Sequence, residues 1–271
     1  MPELPEVETT RKGIAPYVVG ETVKDIIIRE RNLRWPVPVA LKRSLKNQLI
    51  RKLRRRAKYL LFYTDKGCMI LHLGMSGNLR VLDNIIPHEK HDHVDIVFES
   101  GYILRFHDPR KFGSILWTKD DPLDHKLINH LGPEPLNNEF NTEYLYARSR
   151  KRTQAIKTFI MDSRIVAGVG NIYASEALFR AGIKPTQKAG NVSKARYEKL
   201  VIEIKKVLAE AIKKGGTTLR NFFNGDGKPG YFSQELNVYN REDEPCKKCT
   251  HKIKMIRLGQ RSTFYCSNCQ K

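Results

Sequence analysis

The sequence predicts an α+β protein. It has an N-terminal β-sandwich with a flanking helix, then a C-terminal helical domain carrying a four-cysteine zinc ribbon. Three observations lead there. Between Thr22 and Trp117 short apolar runs alternate with turn residues, the pattern of a meander of strands. Past the punctuation Leu131-Gly132-Pro133-Glu134-Pro135-Leu136-Asn137-Asn138 the apolar period becomes helical. At the end stand two C-x2-C pairs, Cys246/Cys249 and Cys266/Cys269, a spacing that suits one tetrahedral Zn²⁺. The boundaries expected are 1–131 for the β-sandwich, 132–140 for a hinge, 141–236 for the helical domain and 237–271 for the zinc finger, with a cleft between the two halves.

In chain order, residues 5–17 set Val7, Ile14 and Tyr17 among polar neighbours with Pro5 in a first helical turn, which predicts a helix close behind the N-terminus. Strands are expected at Val23–Ile28, Tyr59–Tyr63, Met69–Leu73, Val94–Phe98, Ile103–Phe106 and Ile115–Trp117. Val94 to Phe98, then Glu99-Ser100-Gly101 and a second apolar run, reads as a hairpin. Helices are expected at 155–161, 172–180 and 195–212. The last places Tyr197, Leu200, Val201, Ile204, Leu208, Ala211 and Ile212 on one face and ends at Gly215-Gly216. A Gly-rich stretch, 224–231, precedes the ribbon.

Charge narrows the function. Lys and Arg number 49 against 29 Asp and Glu, a net charge of +20 that calls for a polyanionic partner. No apolar run approaches the roughly 20 residues of a membrane span, and Met-Pro-Glu-Leu-Pro-Glu lacks the basic and apolar segments of a signal peptide. A cytoplasmic, nucleoid-associated protein acting on nucleic acid is therefore expected, with no membrane partner. From Cys246 to the last residue there are seven Lys or Arg and no acid, so the ribbon reads as a phosphate-binding finger whose folding free energy comes from the ion. Cys68 lies in an apolar run, which leaves no disulfide framework.

Several residues have the chemistry of a site. Removal of Met1 would leave Pro2 with a secondary α-amine beside the Glu3 carboxylate, and such an amine forms an iminium with an aldehyde-like sugar carbon. Arg51 to Lys58 puts six cations into eight residues before a strand, a phosphate-facing pattern. Lys58, entering an apolar strand, is suited to move protons. His72-Leu73-Gly74-Met75-Ser76-Gly77 and Arg105 to Gly113 each leave a strand through a turn, offering Met75 on one and Arg110 with Phe112 on the other as a wedge for a base stack. His91-Asp92-His93 is an incomplete metal set that better suits phosphate contact or packing. Gly168-Val169-Gly170-Asn171 offers an anion site at a helix start, or Asn171 as a plain cap.

These pieces, in order, resemble the bacterial formamidopyrimidine-DNA glycosylase family over essentially the whole chain. The matching motifs are Pro-Glu-Leu-Pro-Glu-Val-Glu at 2–8, Arg-Ala-Lys-Tyr-Leu at 56–60, His-Leu-Gly-Met-Ser-Gly at 72–77 and Lys-His-Asp-His at 90–93. They continue with Asp-Pro-Arg-Lys-Phe-Gly at 108–113, Gly-Val-Gly-Asn-Ile-Tyr at 168–173, Asp-Gly-Lys-Pro-Gly-Tyr-Phe at 226–232 and Gln-Arg-Ser-Thr-Phe-Tyr-Cys at 260–266. The resemblance implies a monomeric repair enzyme for double-stranded DNA that excises oxidised purines such as 8-oxoguanine and formamidopyrimidines, then cuts abasic sites by β,δ-elimination. It makes Pro2 the Schiff-base nucleophile, Glu3 the acid that opens the sugar, Lys58 the proton donor tied to β-elimination and Arg261 the one tied to δ-elimination. His72, His91, Arg110, Arg152 and Asn171 would hold phosphates, Arg152 being chosen from the basic cluster 148–152. Met75, Arg110 and Phe112 would fill the void left by a flipped nucleotide, and the loop after Gly216 through Tyr231 would close over the base. One structural Zn²⁺ on Cys246, Cys249, Cys266 and Cys269 completes the expectation. The rivals are the endonuclease VIII branch, which acts on oxidised pyrimidines and typically starts Pro-Glu-Gly where this chain has Leu4, and a non-catalytic zinc-ribbon nucleic-acid-binding protein.

Overall fold

The computed structural model of the chain describes residues 2–83, 86–215 and 236–271. They fall into two units, 2–130 with 214–215, and 131–213 with 236–271.

The first unit opens with helix α1 (Leu4–Val18). Pro5 sits in its first turn, and Glu6 accepts a hydrogen bond from the Glu3 N–H at 2.9 Å to close a capping box. Leu4, Val7, Ile14 and Val18 form its buried stripe. Two antiparallel four-stranded sheets follow. One has the order β1 (Val23–Ile28), β6 (Asp92–Phe98), β7 (Ile103–His107), β5 (Asn78–Leu82); the other runs β2 (Lys52–Arg56), β3 (Tyr59–Thr64), β4 (Gly67–His72), β8 (Ser114–Thr118). Val23, Ile26, Leu60, Phe62, Met69, Leu71, Leu79, Phe98, Phe106 and Ile115 meet in one core with Val7 and Ile14 of α1. This is the expected β-sandwich with its flanking helix. Pairing such as Leu60↔Leu71 and Leu71↔Ile115 keeps alternate residues facing that core.

Two strands and two helices escaped the sequence reading: β2, β5, α2 (Leu41–Leu45) and α3 (Thr142–Ser149). The centre of the run 51–58 is an edge strand that buries only Leu53, and its cations are not all turned to solvent: Arg55 pairs with Glu8 at 3.0 Å and Arg51 with Asp65 at 2.8 Å.

The second unit holds α3, α4 (Ile156–Met161), α5 (Asn171–Ala181) and α6 (Lys194–Lys213), then the ribbon hairpin β9 (Ile253–Leu258) and β10 (Arg261–Cys266). Gly182, at φ +71°, ends α5. The buried face of α6 is the expected one with Val207 added and Ile212 only partly buried. Residues 132–133, at the start of the expected hinge, are bonded into this unit, Gly132 N–H to the Ser163 carbonyl and Ala167 N–H to that of Pro133. Among the described residues no helix is long and apolar enough to cross a membrane.

The ribbon is not held by metal alone. Val238, Ile253 and Phe264 bury themselves with Phe179 of α5 and the cysteines. The buried Glu176 carboxylate accepts from the backbone N–H groups of Asn237, Val238 and Tyr239 and from the Asn237 side chain, all at 2.8–3.0 Å. Gln270 closes the far end, accepting from Cys266 N–H and donating to the Ile183 carbonyl. The expectation of a ribbon with no core of its own is corrected accordingly: it borrows one face from α5.

Candidate functional site

Chain termini usually fray, yet Pro2, Glu3, Leu4 and Pro5 are all buried. Glu3 is the N-cap of α1, so its carboxylate lies at the positive end of the helix, one residue from Pro2. Helix α1 packs on β2, β3 and β5. Lys58 follows Ala57, whose φ of +50° makes the tight reversal between β2 and β3.

His72 ends β4 and packs against Tyr59, the rings tilted at 53° with centroids 4.8 Å apart. Burial, with Lys58 and Arg34 nearby, pushes its pKa down to about 4, so the ring is neutral at physiological pH. Its Nδ1 accepts from the Gly74 N–H at 2.9 Å, which leaves the proton on Nε2. The residue expected at a phosphate is thus a fixed neutral donor rather than a cation.

Beyond His72 the chain turns through Gly74, Met75 and Ser76. Gly74 has φ +68°, and a Cβ there would stand 2.4 Å from the Gly113 nitrogen and the Phe112 carbonyl carbon. Two turns, 74–76 and 109–113, are therefore pressed backbone to backbone. Met75 and Phe112 are 37% and 40% exposed, and the Arg110 guanidinium lies over the Phe112 ring at 5.0 Å. Arg34, His72, Met75, Lys111 and Phe112 line one cavity of about 520 Å³. The structure thus brings together three residues singled out in the sequence and adds Arg34, which no motif marked.

His91 is half-buried, edge-on to His93 and His107. His93 bonds through Nε2 to the Asp108 carbonyl at 2.8 Å, and Asp92 is ion-paired with Arg80 and Arg105. Burial alone would raise the Asp92 pKa, but the Glu89 N–H, His107 and Arg80 hold it below the usual carboxylate range. His93, His107 and Asp92 thus already have protein partners, and Asp92 with Glu89 and His107 also brings three possible ligand atoms within 4.8 Å of one another.

In the second unit Asn171 is not the cap of α5. Gly170 is the N-cap of α5, and the Asn171 side chain accepts from the Lys157 ammonium at 2.6 Å and donates to the Ser262 carbonyl at 3.0 Å. Lys157, 1% exposed, also donates to Ser262 O and to Thr263 Oγ1. Sequence reasoning missed it, since a lysine at a buried helix position looks like any surface cation until its acceptors are known. Arg261 is exposed and begins β10 after the Gly259-Gln260 turn, both residues at positive φ. In the cluster 148–152, Arg150 is spent on the carbonyls of Gly190 and Val192 and the face of Tyr146, whereas Arg152 is exposed. The segment 216–231, expected to close over a base, lies outside the described residues.

Four cysteine sulfurs lie within 4.8 Å of one another, with Cys246–Cys269 at 3.9 Å and Cys249–Cys266 at 3.4 Å. Zn–S bonds of about 2.3 Å set the corners of a tetrahedron about 3.8 Å apart, and a disulfide would need about 2.05 Å. The set fits one Zn²⁺ with no open coordination position, a structural site.

Three family models match the chain: the formamidopyrimidine-DNA glycosylase N-terminal domain over 1–115, the formamidopyrimidine-DNA glycosylase H2TH domain over 131–222, and a zinc finger found in FPG and IleRS over 243–271. The formamidopyrimidine-DNA glycosylase of Stutzerimonas stutzeri is 57% identical and that of Idiomarina loihiensis 54%, each over 100% of both chains. Among solved structures, a Lactococcus lactis FPG mutant in complex with a Fapy-dG containing DNA superposes with TM-score 0.93 at 33% identity over 100% of both chains. The MutM (FPG) protein of Thermus thermophilus gives 0.90 at 34%, over 99% of this chain and 98% of that one.

Proposed function

The chain belongs to the formamidopyrimidine-DNA glycosylase family, and on that premise we propose that it is a base excision repair enzyme that removes oxidised purines from double-stranded DNA and cleaves the abasic site. It would act in the cytoplasm, on the nucleoid. The proposed division of labour is a catalytic sandwich at 1–131, a hinge at 132–140, a DNA-binding helical domain at 141–236 and a zinc finger at 237–271. The observation that carries the reading is the buried N-terminus. The Glu3 carboxylate, kept from water at the helix N-cap, serves the cap and, once Met1 is removed, would stand beside a secondary amine on which it has a chemical use.

With Met1 removed, the Pro2 amine attacks C1′ of the damaged nucleotide. The C1′–base bond breaks and the base leaves with a proton. The sugar ring then opens, its oxygen taking a proton from Glu3, and the C1′–Pro2 bond becomes an iminium. That cation acidifies C2′–H, and loss of the proton expels the 3′ phosphate in β-elimination. A second elimination expels the 5′ phosphate. Lys58 serves as proton donor in the first elimination and Arg261 in the second. His72, through Nε2–H, and His91, Arg110, Arg152 and Asn171 hold phosphates. Met75, Arg110 and Phe112 fill the stack once the nucleotide is flipped, offsetting part of an unstacking cost of a few kcal/mol. The Zn²⁺ supplies no reaction step; Cys246, Cys249, Cys266 and Cys269 hold it so that it fixes the hairpin bearing Arg261.

Borohydride trapping on abasic-site and 8-oxoguanine duplexes tests this. A covalent protein–DNA adduct mapping to the N-terminal peptide is expected, and extra residues placed before Pro2 should abolish it. An adduct undiminished by a blocked N-terminus would transfer the nucleophile to a lysine, Lys58 first.

A further inference from the structure

Asp108 belongs to the Asp-Pro-Arg-Lys-Phe-Gly stretch, where a sequence reader sees only a turn residue. Its side chain is fully buried, and every contact it makes goes to one of the two turns. Oδ1 accepts from the Ser76 hydroxyl at 2.7 Å and, at 3.3 Å, from the Arg110 N–H; Oδ2 accepts from the Gly113 N–H at 2.7 Å. The Ser76 oxygen in turn accepts from the same Arg110 N–H at 3.3 Å. The Asp108 backbone is tied to β6, donating to the His91 carbonyl and accepting from His93. One buried carboxylate thus joins the Met75 turn to the Arg110–Phe112 loop and both to the sheet.

The reason for such a joint lies in what the turns carry. Met75 and Phe112 expose apolar surface at a cost in water, and each turn has one backbone hydrogen bond of its own, Gly77 N–H to Leu73 O and Lys111 N–H to Asp108 O. Bonds to an ionised acceptor are among the stronger ones, and a buried carboxylate stripped of a donor is costly, so the arrangement is all or none. We propose that Asp108, with Ser76 as its relay, is a positioning residue that holds Met75, Arg110 and Phe112 as one preformed wedge, so that duplex DNA meets a rigid insert. This rests on the wedge role proposed above for those three side chains.

Two substitutions test it, Asp108→Asn and the milder Ser76→Ala, which removes a single hydroxyl where the first variant fails to fold. Amide hydrogen exchange at Gly113 and Arg110 reads the joint without any reference to activity. It should quicken by about tenfold or more when a charge-assisted bond is lost. Excision of 8-oxoguanine from duplex DNA should fall about tenfold relative to cleavage at a preformed abasic site, which needs less unstacking. Fluorescence of 2-aminopurine beside an abasic analogue should report weaker unstacking than with wild type. Zinc content should stay at the wild-type value. Unchanged exchange overturns the joint, and faster exchange with a wild-type excision ratio and 2-aminopurine signal overturns the positioning role. Absence of excision by the wild-type protein would count against the proposed function itself, while the exchange rates would still decide the joint.

Discussion

The sandwich and the ribbon each present a short turn carrying an exposed arginine, and they fix it by opposite means. In the sandwich, the turn of Arg110 closes around a buried anion, Asp108, which collects N–H and O–H donors. In the ribbon, the strand beginning at Arg261 closes on a buried cation, Lys157, which serves the acceptors Asn171 Oδ1, Ser262 O and Thr263 Oγ1. The first sits on a large apolar core and uses its carboxylate only to hold the turns. The second has a small shared core, so its charge, its metal and the Glu176 clamp must together hold the whole hairpin. One buried charge lies beneath the tip in each case; what differs is how much of the surrounding fold stands without it.

The sharpest way to break the comparison is to take the metal away. Structural zinc contributes on the order of 10 kcal/mol to the folding of small ribbons, so chelation or Cys266→Ala should unfold the hairpin while the sandwich keeps its own melting transition. Metal analysis should give one Zn²⁺ per chain, and calorimetry should show one transition lost; a sandwich that melts with the ribbon contradicts the difference. Next comes Gly74→Ala. Its Cβ has backbone atoms at 2.4 Å and a left-handed φ, so about 3 kcal/mol should be lost from the sandwich transition, with zinc retained.

Lys157→Met leaves Asn171 Oδ1 and Thr263 Oγ1 without the ammonium, while Ser262 O keeps the Asn171 amide, which should cost about 2 kcal/mol in the second unit only. Zinc should remain bound while δ-elimination weakens more than β-elimination, read from the ratio of cleavage products on abasic DNA. An unchanged ratio would reduce Lys157 to packing. A pH-dependent effect concerns His72. Its folded pKa of about 4 lies below the usual 6.5, so between those values the unfolded chain binds a proton that the native one does not. The neutral ring's contribution is complete above pH 6.5 and is lost as pH falls toward 4. The ceiling is about 1.4 kcal/mol per pH unit, less for a half-buried ring. His72→Gln should flatten that part of the stability profile, and identical slopes would refute the assignment.

The large pattern was legible where apolar residues repeat. The face of α6 shows its period in the chain itself, and Val94 to Phe98 shows as an apolar run that the fold buries almost throughout. β2 was not, because Lys-Leu-Arg-Arg-Arg has one apolar residue and its strand identity comes from pairing with β3. Cations there were read as facing a polyanion, but Arg51 and Arg55 found acids 14 and 47 residues away, separations no local pattern encodes. At the site, Pro2, Glu3, Met75, Phe112 and the cysteines could be picked out by their chemistry or turn position. Asp108, Lys157, Glu176 and Arg34 could not, since a buried charge is defined by partners brought in from elsewhere in the chain.

Glu176 also bears on the order of events during synthesis. Its four donors all come from residues 237–239, some sixty positions further on. Domains generally fold N-terminal first as the chain emerges, so the sandwich can close early, whereas α5 must wait with a carboxylate that cannot be buried until those residues arrive. The helical unit and the ribbon therefore mature together, and a nascent chain halted between α6 and residue 237 would hold a finished sandwich beside a helical half still open to proteolysis.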